Sequence, residues 1–300
     1  MSKIKRKIEP YLFIAPHYLV FIVFFAIPAI MALYVSFCKW DFVSAPKFIG
    51  LKNYITLLTD KDSYYFNLFW SSFKNTVLYV VVSVPLLMAI PLLIAVLLSK
   101  VKKGASIFQS IFYFPYLLSV ATVVLTWRWL LDKSFGIVNQ IFHLDIGWTM
   151  DQPYFWIAVV MLSLWWGIGG NMVIYIAGMS SIPVDLYEAA DLDGAGPIQK
   201  ILHITLPGLK NQMKYTLVMT TISSFNIYGQ PLMFANMTKL TNDKNTLLVA
   251  IQQTAFGTQQ AAGMATAMAM ILGVIIVAVS SLQFKFSGDE LGGAGWKRQI

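Results

Sequence analysis

The sequence predicts an all-α integral membrane protein of six transmembrane helices, and three observations predict it. Of its 300 residues 57% are hydrophobic and only 12% carry a formal charge, a balance far from that of soluble domains. Six stretches free or nearly free of charged side chains each exceed the ~20 residues a helix needs to cross ~30 Å of hydrocarbon. No water at that depth satisfies backbone groups, so these stretches must be helical. Lysine and arginine gather at alternate ends of the stretches, as positive charge retained in the cytoplasm does.

Residues 1–10 form a short N-terminus whose Lys3, Lys5, Arg6 and Lys7 place it in the cytoplasm. The first span, 11–38, carries Pro16 and Pro28. It is longer than the ~7–15 apolar residues of a signal-peptide core and lacks a small-residue cleavage site, so it is expected to remain as an anchor. An outer segment, 39–73, follows. Spans at 74–99, with Pro85 and Pro91, and at 105–130, with Pro115, are joined on the inside by Lys100, Lys102 and Lys103. A second outer segment around Asp132 to Gln152 leads to the fourth span, 153–180. Residues 181–207 are a polar cytoplasmic loop, 213–234 and 262–284 are the last two spans, and the tail 285–300, with Lys297 and Arg298, returns to the cytoplasm. The third outer segment, around Lys239 to Gln260, is too short for a core of its own, as are the other two. Trp40, Trp70, Trp127, Trp129, Trp148 and Trp156 fall at the span ends assigned to the outer face, where indole rings favour the headgroup level. Proline inside a span removes a donor and crowds the preceding turn, which predicts kinks. Gly263, Ala265, Ala267 and Ala269 allow close approach of the last helix to a neighbour.

Several function classes are excluded. The net charge of +8 is spread over loop ends and forms no stripe, so no nucleic-acid partner is expected. A single cysteine, Cys38, rules out an internal disulfide and a multi-cysteine metal site. The chain has no Gly-x-x-x-x-Gly-Lys-Ser/Thr phosphate loop, no Gly-x-Ser-x-Gly and no His-Glu-x-x-His, and His17, His143 and His203 fall in separate regions. Neither catalysis, nor a metal, nor a bound cofactor is expected. The span interiors carry no Asp, Glu, Lys or Arg, the residues that mark ion pathways. That weighs against the alternative of an ion-coupled secondary transporter.

The 181–207 loop is the most informative stretch. Ser180 and Ser181 offer helix caps and Pro183 suits a first helical turn, predicting a short helix from 183 to 192. Asp185 and Glu188 complement its positive end. Asp193-Gly194-Ala195-Gly196-Pro197 is turn punctuation in which glycine ends the helix, and a second short helix, 198–203, returns the chain to Pro207. The expected result is a sharply turned helical knob.

Glu188-Ala189-Ala190, Asp193-Gly194-Ala195 and Ile204-Thr205-Leu206-Pro207, at this spacing, resemble the coupling loop of ABC importer permeases. Phe48 to Tyr54, Asn75-Thr76, and Trp127 to Trp129 followed by Gly136 and Asn139 are similar to the sugar-type group that includes the maltose-transporter permeases. The resemblance spans nearly the whole chain. It implies a type I importer permease fold with a permease core at about 70–285, in a prokaryotic plasma membrane. It also implies a second permease subunit, an ATPase dimer that binds the ATP and grips Glu188, Ala189, Ala190, Asp193, Gly194, Ala195, Leu206 and Pro207, and an extracytoplasmic solute-binding protein. The expected cargo is a sugar or oligosaccharide, with glycerol phosphate or another small polar solute as the alternative. Sugars are held by hydroxyl-directed hydrogen bonds and by aromatic rings, which makes Trp165, Trp166, Gly167, Asn171, Thr220, Ser224, Asn226 and Tyr228 the candidate substrate path; Thr220 and Ser224, four apart, share a helix face.

Overall fold

A computed structural model describes residues 13–101, 103–235, 241–258 and 260–286. The cations Lys3, Lys5, Arg6, Lys7, Lys102, Lys239, Lys297 and Arg298 lie outside the described residues, as do segment 1–10 and most of the tail. In chain order the elements are α1 (Phe13–Ser36), a two-stranded hairpin of β1 (Cys38–Lys39) and β2 (Lys47–Phe48), α2 (Lys52–Thr59) and α3 (Tyr64–Ser99). Then come α4 (Ala105–Tyr113), α5 (Val120–Leu130), α6 (Ile137–Phe142), α7 (Tyr154–Ser180), α8 (Val184–Leu192), α9 (Pro197–Lys200), α10 (Lys210–Phe225), α11 (Gly229–Phe234), α12 (Leu247–Phe256) and α13 (Ala262–Phe286).

Among the described residues, α1, α3, α7 and α13 are each long and apolar enough to cross a membrane. At 1.5 Å per residue α3 is about 54 Å long, so it extends past the hydrocarbon. It begins ten residues before the expected start at 74, because the aromatic run from Tyr64 to Phe73 continues the helix. The expected span 105–130 is a bent pair. Its two halves meet at 100°, with a tight turn at Phe114–Leu117 that contains Pro115 and an extended Leu118–Ser119. Ser119 Oγ then caps α5 by accepting from the Thr122 amide. The expected span 213–234 is divided as well: α10 stops at Phe225 and α11 starts at Gly229. Asn226 Nδ2 turns back onto Ile222 O, and Pro231 has no amide to continue the ladder. Apolar run length carries no information on whether the helix is straight.

Two compact units divide the chain: residues up to Trp70 with Ala250–Val274, and Ser71–Val249 with the residues from Ile275. In the first, β1 pairs antiparallel with β2 in the register Cys38↔Phe48 and Lys39↔Lys47. Buried Asn53 donates from Nδ2 to Ser36 O and Cys38 O, both at 2.9 Å, and the Tyr54 hydroxyl donates to Ser36 Oγ at 2.7 Å. These bonds fix the exit of α1, which explains why Asn53 and Tyr54 sit together in the sequence.

The second unit carries the larger core. Ala95 and Leu98 of α3 pack on Met172 and Tyr175 of α7, with Phe112 and Met213 against them. Between lipid-facing helices the gain comes from close packing and hydrogen bonds, since hydrocarbon is as apolar as leucine. Tyr175 accordingly finds Thr216 Oγ1 of α10 at 2.8 Å. The segment before α12 is held by side chains from elsewhere in this unit. Asn75 Nδ2 donates to Asn242 O and Asn245 O, and Thr76 Oγ1 accepts the Leu247 amide at 2.8 Å. Trp156 Nε1 donates to Asp243 O. Burial works against the Asp243 carboxylate, but hydrogen bonds from Thr241 and Gln152 and the charge of Lys244 hold it below the usual range.

Candidate functional site

α3, α7 and α10, with the bend after α4 and the break after α10, enclose a cavity of about 360 Å³. The α7 face is a stripe at helical spacing, Ser163, Trp166, Gly167, Gly170, Asn171 and Ile174. From α3 come Tyr79 and Leu87, and from α10 Tyr215, Met219, Thr220, Ser223 and Ser224. Tyr116, Asn226, Ile227 and Gln230 complete the lining. Every lining side chain is apolar, aromatic, hydroxyl or amide; none is charged. Ser163 is buried in this wall, and it and Tyr79 both line the cavity.

α7 comes this close to its neighbours because of glycine. A Cβ on Gly169 would stand 2.7 Å from Tyr113 Cα and 2.8 Å from Phe112 O, so only glycine lets the backbone of the bent pair lie against α7. Trp166 Nε1 then donates to Leu118 O at 3.2 Å, supplying a partner at the break. Asn171 Nδ2 donates both to Leu87 O at 2.9 Å and to Thr220 Oγ1 at 3.0 Å.

Of the residues singled out in the sequence, Trp166, Gly167, Asn171, Thr220, Ser224 and Asn226 line this cavity together. Trp165 does not: one position along the helix, it faces away, 40% exposed, with its ring 6.0 Å from that of Trp127. Tyr228 lies in the break between α10 and α11 and is not part of the lining. Sequence reasoning missed Tyr79, Tyr116, Ser163, Gly170, Tyr215 and Ser223. Ser163 and Gly170 carried a usable signal, being four positions before Gly167 and three after it on the same face. Tyr79 and Tyr116 had none, because only the helix crossings bring them here.

The 181–207 loop is knit to itself. α8 ends at Leu192 with Asp193 as its C-cap, and Gly194 takes a left-handed φ of +73°. The Asp193 amide bonds Ala189 O and the Ala195 amide bonds Ala190 O at 2.8 Å. This is the helix stop that a non-glycine residue resists. Gln199 Oε1 accepts the Gly196 amide, Lys200 pairs with Asp191, and Tyr187 meets Thr205 Oγ1 at 3.0 Å. The expected caps are not used: Ser180 Oγ and Ser181 Oγ donate back to Ile176 O and Gly178 O, and extended Pro183 precedes α8 with no side-chain cap. Hydroxyls at a helix end reach their own carbonyls as readily as they reach forward. The second helix runs further than expected: Pro197–Lys200 continues without a break through a π turn, Ile201–Thr205, into Leu206–Gly208. α1 does the same, with a π turn at Ile22–Ala26 ahead of Pro28; a missing proline amide leaves the ladder to close one residue wider.

Ala190, Asp193, Gly194 and Ala195 line a surface hollow of about 370 Å³ together with Gln199, Lys200, His203 and Ile204. Glu188 and Ala189 stand exposed on α8 outside it, and Leu206 and Pro207 lie beyond the π turn. The knob presents Leu192, 91% exposed, and Ile198, 72% exposed, along with Val184 and Leu186.

Residues 12–287 match the family described as binding-protein-dependent transport system inner membrane component. The chain is 31% identical over 294 residues to the arabinooligosaccharides transport system permease protein AraP of Bacillus subtilis (strain 168), covering 96% of this chain and 91% of that protein. It is 29% identical over 281 residues to the sn-glycerol-3-phosphate transport system permease protein UgpA of Shigella flexneri, covering 92% and 93%. Its fold superposes with a TM-score of 0.82 on a chain of a bacterial ABC transporter involved in the import of the acidic polysaccharide alginate, at 21% identity and covering 95% and 98%.

Proposed function

This chain belongs to the binding-protein-dependent transport system inner membrane components, and from that premise we propose that it passes a neutral sugar or oligosaccharide through the cavity enclosed by α3, α7 and α10. It is the permease of an ABC importer, a membrane component and not an enzyme. The observation that carries the substrate reading is the lining: hydroxyls, amides and aromatic rings, with no charged side chain. Such a wall hydrogen-bonds sugar hydroxyls and covers their C–H faces, and its volume is in the range of ligand sites. The similarity to AraP, an arabinooligosaccharides permease by name, points the same way. A second reading follows from UgpA, whose name gives sn-glycerol-3-phosphate. A phosphate dianion needs cationic or oriented amide partners, and this cavity offers no cation.

In the proposed assembly a second permease completes the pathway, and two ATPase subunits, which bind the ATP, receive the 181–207 knob on the cytoplasmic side, where both termini also lie. The exposed Leu192, Ile198, Val184 and Leu186 are surface for that partner. A solute-binding protein delivers cargo from the opposite face. Closure of the ATPases pulls the knob, and α7 and α10, which flank it in sequence and wall the cavity, change which side the cavity faces. ATP drives this only in so far as ATPase closure favours one permease state over the other. The test is uptake in proteoliposomes holding the chain with its permease and ATPase partners. ATP-dependent accumulation of a neutral oligosaccharide delivered by the binding protein is expected; accumulation driven by an ion gradient with this chain alone would overturn the reading.

A further inference from the structure

A proline inside a helix leaves the carbonyl four residues earlier without its backbone partner, and in hydrocarbon no water replaces it. Pro91, inside α3, does this to Leu87. The Leu87 oxygen is met by another helix, for Asn171 Nδ2 of α7 donates to it at 2.9 Å. The same nitrogen donates to Thr220 Oγ1 of α10 at 3.0 Å. An amide NH₂ has two hydrogens, and both are engaged within the protein.

We infer that Asn171 is a positioning residue: it substitutes an interhelical bond for the backbone bond that Pro91 deletes, and so ties α3, α7 and α10 together at the cavity wall. A backbone bond to Leu87 O would hold α3 alone. The side-chain bond breaks and re-forms as the helices shift against one another, and when formed it sets three cavity walls in one arrangement. Leu87, Asn171 and Thr220 all face the cavity. A solute hydroxyl donating to Leu87 O or Thr220 Oγ1 replaces one of the two bonds, which links occupancy to helix arrangement. That last step rests on the proposed transport function; the exchange between Pro91 and Asn171 does not.

The test is a double-mutant cycle on the transporter assembled with its partner subunits, read as thermal unfolding in detergent and as ATP-driven uptake in proteoliposomes. Asn171→Ala leaves the carbonyl unpaired and lowers the apparent Tm by several degrees. Pro91→Ala restores the amide, so the combined variant regains most of that loss. Its uptake stays several-fold below wild type, because the tie between helices is still missing. Thr220→Val keeps the side-chain shape, removes the second acceptor and lowers uptake in the same direction. Should Asn171→Ala fail to assemble, recovery of assembled protein on adding Pro91→Ala is the equivalent positive result. Equal Tm losses from Asn171→Ala with and without Pro91→Ala overturn the bond exchange. Uptake at the wild-type rate by the combined variant or by Thr220→Val overturns the positioning role. A wild-type assembly with no ATP-driven uptake defeats the transport reading and leaves the Tm cycle to decide the exchange.

Discussion

Trp165 and Trp166 are neighbours in sequence and meet different surroundings, because one step along an α-helix turns a side chain by about 100°. Trp166 faces the cavity and bonds Leu118 O, whereas Trp165 packs on Trp127. Trp166→Ala and Ser224→Ala are expected to lower uptake while the protein still assembles. Losing one hydrogen bond worth about 1.4 kcal/mol in the transport step corresponds to roughly tenfold. Unchanged uptake by both variants would remove them from the path. Gly169, outside the lining, matters for a steric reason: it lets the bent pair lie against α7. Gly169→Ala puts a methyl group against the Tyr113 and Phe112 backbone, with an expected loss of about 1–3 kcal/mol from overpacking. Denaturation of the purified variant measures it, and a wild-type midpoint would show that the bent pair yields. The tryptophan pair and the polar residues of α7 and α10 were legible as candidates, but which of them share a face with Ser163 or oppose Tyr79 depends on how the helices cross.

The 181–207 loop is the element whose local chemistry reads most directly from its residues. Asp193-Gly194-Ala195 predicts a helix stop, and Gly194 at φ +73° is that stop. Gly194→Val forces a β-branched residue into a left-handed conformation at about 1–3 kcal/mol, with free space around the position. The strain therefore acts on the turn, not on packing. With Glu188→Lys, which reverses a charge on the exposed face of α8, the expectation is reduced uptake with ATP hydrolysis retained. Uptake and hydrolysis both at wild-type rates in either variant would detach these residues from coupling. The helix starts were less legible than the stop. Ser180 and Ser181 bond backwards, and the return helix contains a π turn before Pro207. Caps and wide turns differ from the alternatives by a few tenths of a kcal/mol to about 2 kcal/mol, so neighbouring contacts choose among them.

For the whole molecule, a cavity wall without charge predicts selectivity by hydrogen bonding. A neutral oligosaccharide is expected to compete with labelled cargo for uptake, while a uronic-acid oligosaccharide or glycerol phosphate of similar size competes poorly at physiological salt. Equal competition by the anions would place a cationic surface of a partner subunit in the path. Family membership and membrane class were legible because hydropathy run length, charge at the span ends and the Glu188 to Pro207 motif are properties of contiguous residues. The division of residues 213–234 between α10 and α11 and the 100° bend after α4 were not, since a run of apolar residues has the same composition whether its helix is straight or interrupted. The sequence by itself thus determined that the chain lies in a membrane and where the loop turns. Only the tertiary structure decided which faces wall the cavity and how proline-freed carbonyls are satisfied. Those outcomes rest on bonds such as Asn171 to Leu87, 84 positions apart, and a local pattern holds no record of a partner that arrives only when helices pack.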